Sequence, residues 1–380
     1  MAKRLEASII CVDGKDYDGY GYTICMSDNQ VFSFGMHSEG GTGHEEWFVC
    51  TPKEISTLHS IKAVDCGWQH TICLDFDGRV FGFGLNNDGQ LGVGEDVSQT
   101  HLPVELQLPP CKQVCCGLQF TICVSEDGMI YSFGENRMKQ LGLGTDDVKY
   151  YLPQKLESLD DVNFVRCGKE HVICKLNNNH VYCWGDNGFG QLGTGDTVNH
   201  SIPFKCSDWP EDIVDIKSGL FNVLVLTSNL HVFSCGRNSY GELGRLTESE
   251  YESKLVRIEP LNEIIRIECG YFHSMCITVD YDLFIFGDNS NGQLGLGNTD
   301  SRKEPIKHPS LSDVIDVSKG GMHTFVKTIN NEIYGFGRNT KYQAGVSSKF
   351  DQHDPVRILK GKEDIWFSNV YKSRAKSARK

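Results

Sequence analysis

Short apolar runs separated by tight polar turns fill almost the whole chain. His70-Thr-Ile-Cys-Leu74 and Arg79-Val-Phe-Gly-Phe83 flank Asp77-Gly78, and the same arrangement returns around Asp28-Asn29, Asp127-Gly128, Asn178-Asn179 and Asn330-Asn331. Asn, Asp and Gly tolerate the positive φ that a tight hairpin demands, so these segments predict β-hairpins. A further apolar run precedes each hairpin, as in Ile61-Lys-Ala-Val64 and Ile213-Val-Asp-Ile216. Ahead of these runs come Pro52, Pro103, Pro153, Pro203, Pro305 and Pro355. They are expected at the start of an outer strand, where a missing N–H does no harm.

The strands are phased by repeats. A G-x-x-[H/aromatic] motif recurs at Gly19, Gly67, Gly117, Gly168, Gly219, Gly270 and Gly320, at spacings of 48, 50, 51, 51, 51 and 50 residues. A strand ending in glycine keeps step at Gly35, Gly84, Gly134, Gly185, Gly236, Gly287 and Gly337. A third motif follows as Gln90-Leu91-Gly92, Gln140-Leu141-Gly142, Gln191-Leu192-Gly193, Glu242-Leu243-Gly244 and Gln293-Leu294-Gly295. About four strands per period, seven times over, predict an all-β, seven-bladed β-propeller built from repeats of about fifty residues. It would be a single domain over residues 1–371. Asp364–Asn369 is expected to supply the innermost strand of the first blade and so close the ring between the two termini. The apolar run Ala7–Val12 is left unassigned.

Together, G-x-x-H-[ST] and F-G-x-N-x-x-G-Q-L-G resemble the regulator of chromosome condensation repeat family over residues 15–370. That resemblance implies a propeller that binds other proteins. It also raises guanine-nucleotide exchange on a Ran-type GTPase, in which rim side chains and an inserted β-wedge displace the nucleotide. Two departures weaken the exchange reading. The even spacing leaves no room for a wedge, and Glu170 is the only carboxylate among the rim pairs. A family member that senses ultraviolet light uses clustered G-W-x-H-T tryptophans. Here that motif occurs once, at Trp68, while Trp47, Trp184, Trp209 and Trp366 lie elsewhere in the period.

Composition and charge narrow the chemistry. Glycine is abundant, at 40 of 380 residues, as many tight turns require. The formal charge is −13, yet Lys372, Arg374, Lys376, Arg379 and Lys380 place +5 in a basic tail at residues 372–380, leaving −18 on the body. An acidic body disfavours nucleic acid, except for weak contacts through that tail. No apolar stretch is long enough to span a membrane and no signal peptide is recognisable, so a cytoplasmic or nuclear protein is expected.

Sixteen cysteines are explained by the repeat rather than by disulfides or metal. Cys25, Cys73, Cys123, Cys174 and Cys276 share one position, which Val225 and Val326 also occupy; this marks a small core slot. His70, His171, His273 and His323 share another with Phe120 and Asn222, so they are expected to be structural rather than catalytic. No catalytic constellation, phosphate-binding loop or cofactor site is expected.

The residues that vary within the G-x-x-H loops should gather on one rim. Trp68, Gln69, Lys169, Glu170, Phe221, Tyr271, Phe272 and Met322 are the candidate partner-binding set, with the aromatic-rich composition of interface hot spots. The expected ligand is another protein, with a small GTPase as the alternative.

Overall fold

In the computed structural model, the described residues are 21–359 apart from 28, 37–39 and 347; they hold 27 strands and no helix. The strands form one three-stranded and six four-stranded antiparallel sheets, giving the seven blades expected. The second blade shows the plan. Its innermost strand β4 is Ile61–Cys66, followed outward by β5 (His70–Asp75), β6 (Val80–Leu85) and β7 (Gln99–Glu105). The first blade has β1 (Gly21–Ser27), β2 (Gln30–Met36) and β3 (Phe48–Glu54) and lacks an inner strand among the described residues. The segments at 7–12 and 364–369, and the tail at 372–380, lie outside the described residues.

The ring nevertheless closes through its side chains. Cys25 and Phe34 of the first blade pack with Phe325 and Ile333 of the last, and Thr23 Oγ1 donates to the Gln343 carbonyl at 2.9 Å. Elsewhere each core is shared between neighbouring blades: Val172, Cys174 and Trp184 pack against Phe120, Ile122 and Val124. All the cysteines at the shared position are buried and free, as expected for a core slot.

Two glycine classes have different causes. Gly84 closes its strand at φ 108°, and a Cβ there would overlap the Gln69 carbonyl; only glycine adopts that backbone without strain. Gly168 has no positive φ, and space alone excludes a side chain, because a Cβ would overlap the His171 imidazole.

Two local expectations need correction. The prolines fall inside the outermost strands, not at their starts. Pro103 lies in β7, within a register shift between Gly82↔Val104 and Gly84↔Thr100, so the ladder is already interrupted there. Hairpins also form at Asn229-Leu230 and Asp280-Tyr281, where the second turn position is neither Asn nor Gly. Leu230 (φ 62°) and Tyr281 (φ 62°) take the left-handed position, imposed by the pairing of the flanking strands.

Candidate rim site

Three of the four shared histidines are latches between blades. His70 Nε2 lies 3.1 Å from Thr121 Oγ1 in the next blade, His273 Nε2 lies 2.9 Å from Thr324 Oγ1, and His323 Nε2 lies 3.4 Å from Thr23 Oγ1 across the closure. Each threonine hydroxyl donates onward to a backbone carbonyl, Thr121 to Gln90 and Thr324 to Gln293, so the imidazole is the donor to it. Burial pushes His70, His171 and His323 down to about 3 and His273 to about 4. They are neutral, fully enclosed rings, unsuited to proton transfer with a substrate.

In the third blade both partners change together. Phe120 precedes a blade carrying Val172 at the threonine position. His171 is the mismatch: its counterpart is Val223, and both ring nitrogens are buried without a partner. Replacing Val223 with threonine supplies the missing acceptor in nearly the same volume. Val223→Thr is expected to stabilise the protein by about 1 kcal/mol, read as a higher urea midpoint. A lower midpoint would contradict the latch.

The loops that follow the inner strands form a backbone circuit around the central channel. Trp68 N–H donates to Leu118 O (2.8 Å), Leu118 to Lys169 (2.9 Å), Lys169 to Leu220 (3.2 Å), Leu220 to Tyr271 (3.2 Å) and Tyr271 to Gly321 (3.0 Å). The channel behind it is a narrow cavity of about 50 Å³, lined by Leu118, Lys169, Leu220, Tyr271 and the repeat glycines. It is too small for a ligand of ordinary size.

One position further along, the carbonyls of Gln69, Glu170, Phe221, Phe272 and Met322 accept the N–H of the residue after each strand-ending glycine: Leu85, Asp186, Arg237, Asp288 and Arg338. This fixes a second, wider ring of side chains on the same face.

The candidate residues divide between two groups. Lys169 Nζ donates to Glu170 at 3.0 Å and lies 5.1 Å from the Phe221 ring centre. Phe221 meets Phe189 edge-on at 5.2 Å, while Phe272 is buried against Tyr240 at 5.4 Å. Arg237 lies between these pairs, 5.2–5.9 Å from all four rings. Met322 Sδ accepts from Asn291 and Arg338, each at 3.8 Å. Tyr271 faces the channel. Trp68 and Gln69 stand apart on the second blade; the Trp68 indole N–H is buried without a partner.

Arg237, Phe189 and Tyr240 are central to this surface, yet sequence reasoning missed them. They occupy the variable positions of F-G-x-N-x-x-G, and the contrast between repeating and non-repeating positions would have found them there too. Among the described residues, no group of His, Cys, Asp or Glu could hold a metal ion.

Fold and rim together define a seven-bladed propeller with one face of fixed, non-repeating loops. The RCC1-like domain matches residues 19–263, and regulator of chromosome condensation (RCC1) repeats match 264–293 and 282–326. The chain belongs to the regulator of chromosome condensation repeat family. It is 30% identical to the ultraviolet-B receptor UVR8 of Arabidopsis thaliana over 76% of this chain and 68% of that protein. It is 28% identical to the Homo sapiens regulator of chromosome condensation, over 75% of this chain and 74% of that one. The probable E3 ubiquitin-protein ligase HERC4 of Homo sapiens is 36% identical over 72% of this chain, which spans only 26% of HERC4. Yeast RCC1 (Prp20), solved bound to Kap60, shares the fold at TM-score 0.77 and 20% identity, over 95% of this chain and 90% of that one.

Proposed function

We propose that this protein is a non-enzymatic binding platform that takes another protein on the rim formed by its fourth to seventh blades. One observation carries the reading: Lys169, Phe189, Phe221, Arg237 and Tyr240, with Phe272 buried against Tyr240, form a continuous aromatic and cationic surface at positions the repeat leaves free to vary. Residues needed only for folding recur from blade to blade; these do not. Large, stiff rings on a rigid backbone circuit lose little freedom when a partner docks, which favours a protein interface.

Exchange on a small GTPase draws support from relatives, including the regulator of chromosome condensation and Saccharomyces cerevisiae Prp20p, which binds Gsp1p and histones. On this rim Glu170 is engaged by Lys169, and the repeat spacing stays even. Release of fluorescent GDP from a Ran-type GTPase separates the readings. A platform leaves the rate unchanged, and acceleration by orders of magnitude would establish exchange. The platform itself is tested by photo-crosslinking from Tyr240 on the rim, which should capture one discrete protein.

A further inference from the structure

Ten arginines lie among the described residues, and eight of them meet a carboxylate: Arg79, Arg137, Arg166, Arg245, Arg257, Arg266, Arg302 and Arg357. Arg237 and Arg338 do not. Both occupy the same repeat position, directly after the strand-ending glycine, and both stand on the rim. In the fourth and sixth blades that position is Asp186 or Asp288, each held by the glutamine five residues on, at 2.7 Å from Gln191 or Gln293. The fifth blade exchanges both members, with Arg237 for the aspartate and Glu242 for the glutamine. Even so, the two form no ion pair. Glu242 accepts from the Tyr240 N–H at 2.8 Å, and its other oxygen is buried without a partner. Arg237 instead lies among the four rings, and only its Nε is engaged, by Ser239 Oγ at 3.0 Å.

A guanidinium held by rings keeps its fork of N–H donors oriented, and that fork matches a carboxylate in two-point contact. We infer that Arg237 is the receptor for a single aspartate or glutamate side chain, set beside an apolar residue, on the protein partner. Charge selects this occupant. Asp186 and Asp288 hold the matching position in the two flanking blades and Glu170 lies on the same rim, so a diffuse polyanion is repelled while one carboxylate flanked by an apolar group is accepted. The inference rests on the rim reading above and adds the chemistry of what binds there.

The test is selection of a phage-displayed peptide library on the intact chain, followed by affinity measurement with a synthetic peptide from the enriched set. Enriched peptides should share an Asp or Glu adjacent to an apolar residue. Binding should fall about ten- to a hundredfold when that acid becomes its amide, a change that leaves the protein untouched. Arg237→Gln should produce the same loss, while Arg79→Ala should not. Peptides that bind the rim, as judged by loss with Tyr240→Ala, yet ignore both the acid-to-amide change and Arg237→Gln overturn the arginine inference alone. If no peptide depends on Tyr240 or Arg237, both the inference and the rim reading fall.

Discussion

Lowering the pH from 7.5 to 5 should remove most of the protein's stability, shifting the urea midpoint steeply downward below about pH 6. The cause is the enclosed histidines. His70, His171, His273 and His323 are enclosed as neutral rings at about 3 to 4, and His308 is buried and pushed down to about 4. The unfolded chain takes up protons at these sites near the ordinary value of about 6.5, while the folded ring refuses them. Their contribution is therefore complete above about pH 6.5 and is lost progressively as the pH falls toward the folded values.

Each histidine costs about 1.4 kcal/mol per pH unit in that window, or about 2 kcal/mol at pH 5. Five of them amount to about 10 kcal/mol. Glu242 acts in the opposite direction. Burial raises it to about 7, so the folded state gains a proton there before the unfolded state does. It offsets about 3 kcal/mol at pH 5. The net loss, about 7 kcal/mol, is comparable to the whole stability of a typical domain. Replacing His171 with phenylalanine, the residue found at this position in the third blade, should flatten the dependence. A urea midpoint that stays constant between pH 7.5 and 5 would contradict the enclosed neutral rings.

The second large effect concerns a single methyl group. Gly168→Ala is expected to cost about 3 kcal/mol, because the added Cβ overlaps the His171 imidazole in a site with no room to yield. The change should also disturb the Lys169–Glu170 pair beside it on the rim. The cause can be isolated. In an His171→Ala background the ring is gone, and Gly168→Ala should cost only about 1 kcal/mol, giving a coupling of about 2 kcal/mol in a double-mutant cycle. Strictly additive costs would show that the glycine serves some other need.

These latches show how far the sequence carries. The histidine and the small hydroxyl residue after it are visible in every repeat that has them. That His70 and His273 bond a hydroxyl of the following blade, about fifty residues away, and His323 one across the closure, is a consequence of ring packing and no local pattern states it. The propeller was legible because three motifs kept phase over seven repeats. The hairpins at Leu230 and Tyr281 were not, since strand pairing there imposes a left-handed conformation on residues that do not favour it. The rim was half legible. Variation within one loop pointed to Lys169, Glu170, Phe221 and Phe272, but Arg237 and its rings come from a second loop. Only the carbonyl-to-amide bonds, such as Phe221 to Arg237 at 2.9 Å, bring the two loops together.

The central claim is that partners dock on this rim, and site-specific photo-crosslinking tests it most directly. A photoreactive residue placed at Tyr240, or at Asn178 on the opposite face, is activated in cells and the adducts are identified. The account predicts that one discrete protein is captured from position 240 and not from 178, and that Phe272→Ala abolishes its capture while the ring stays folded. Capture of the partner from 178 and not from 240 would contradict it.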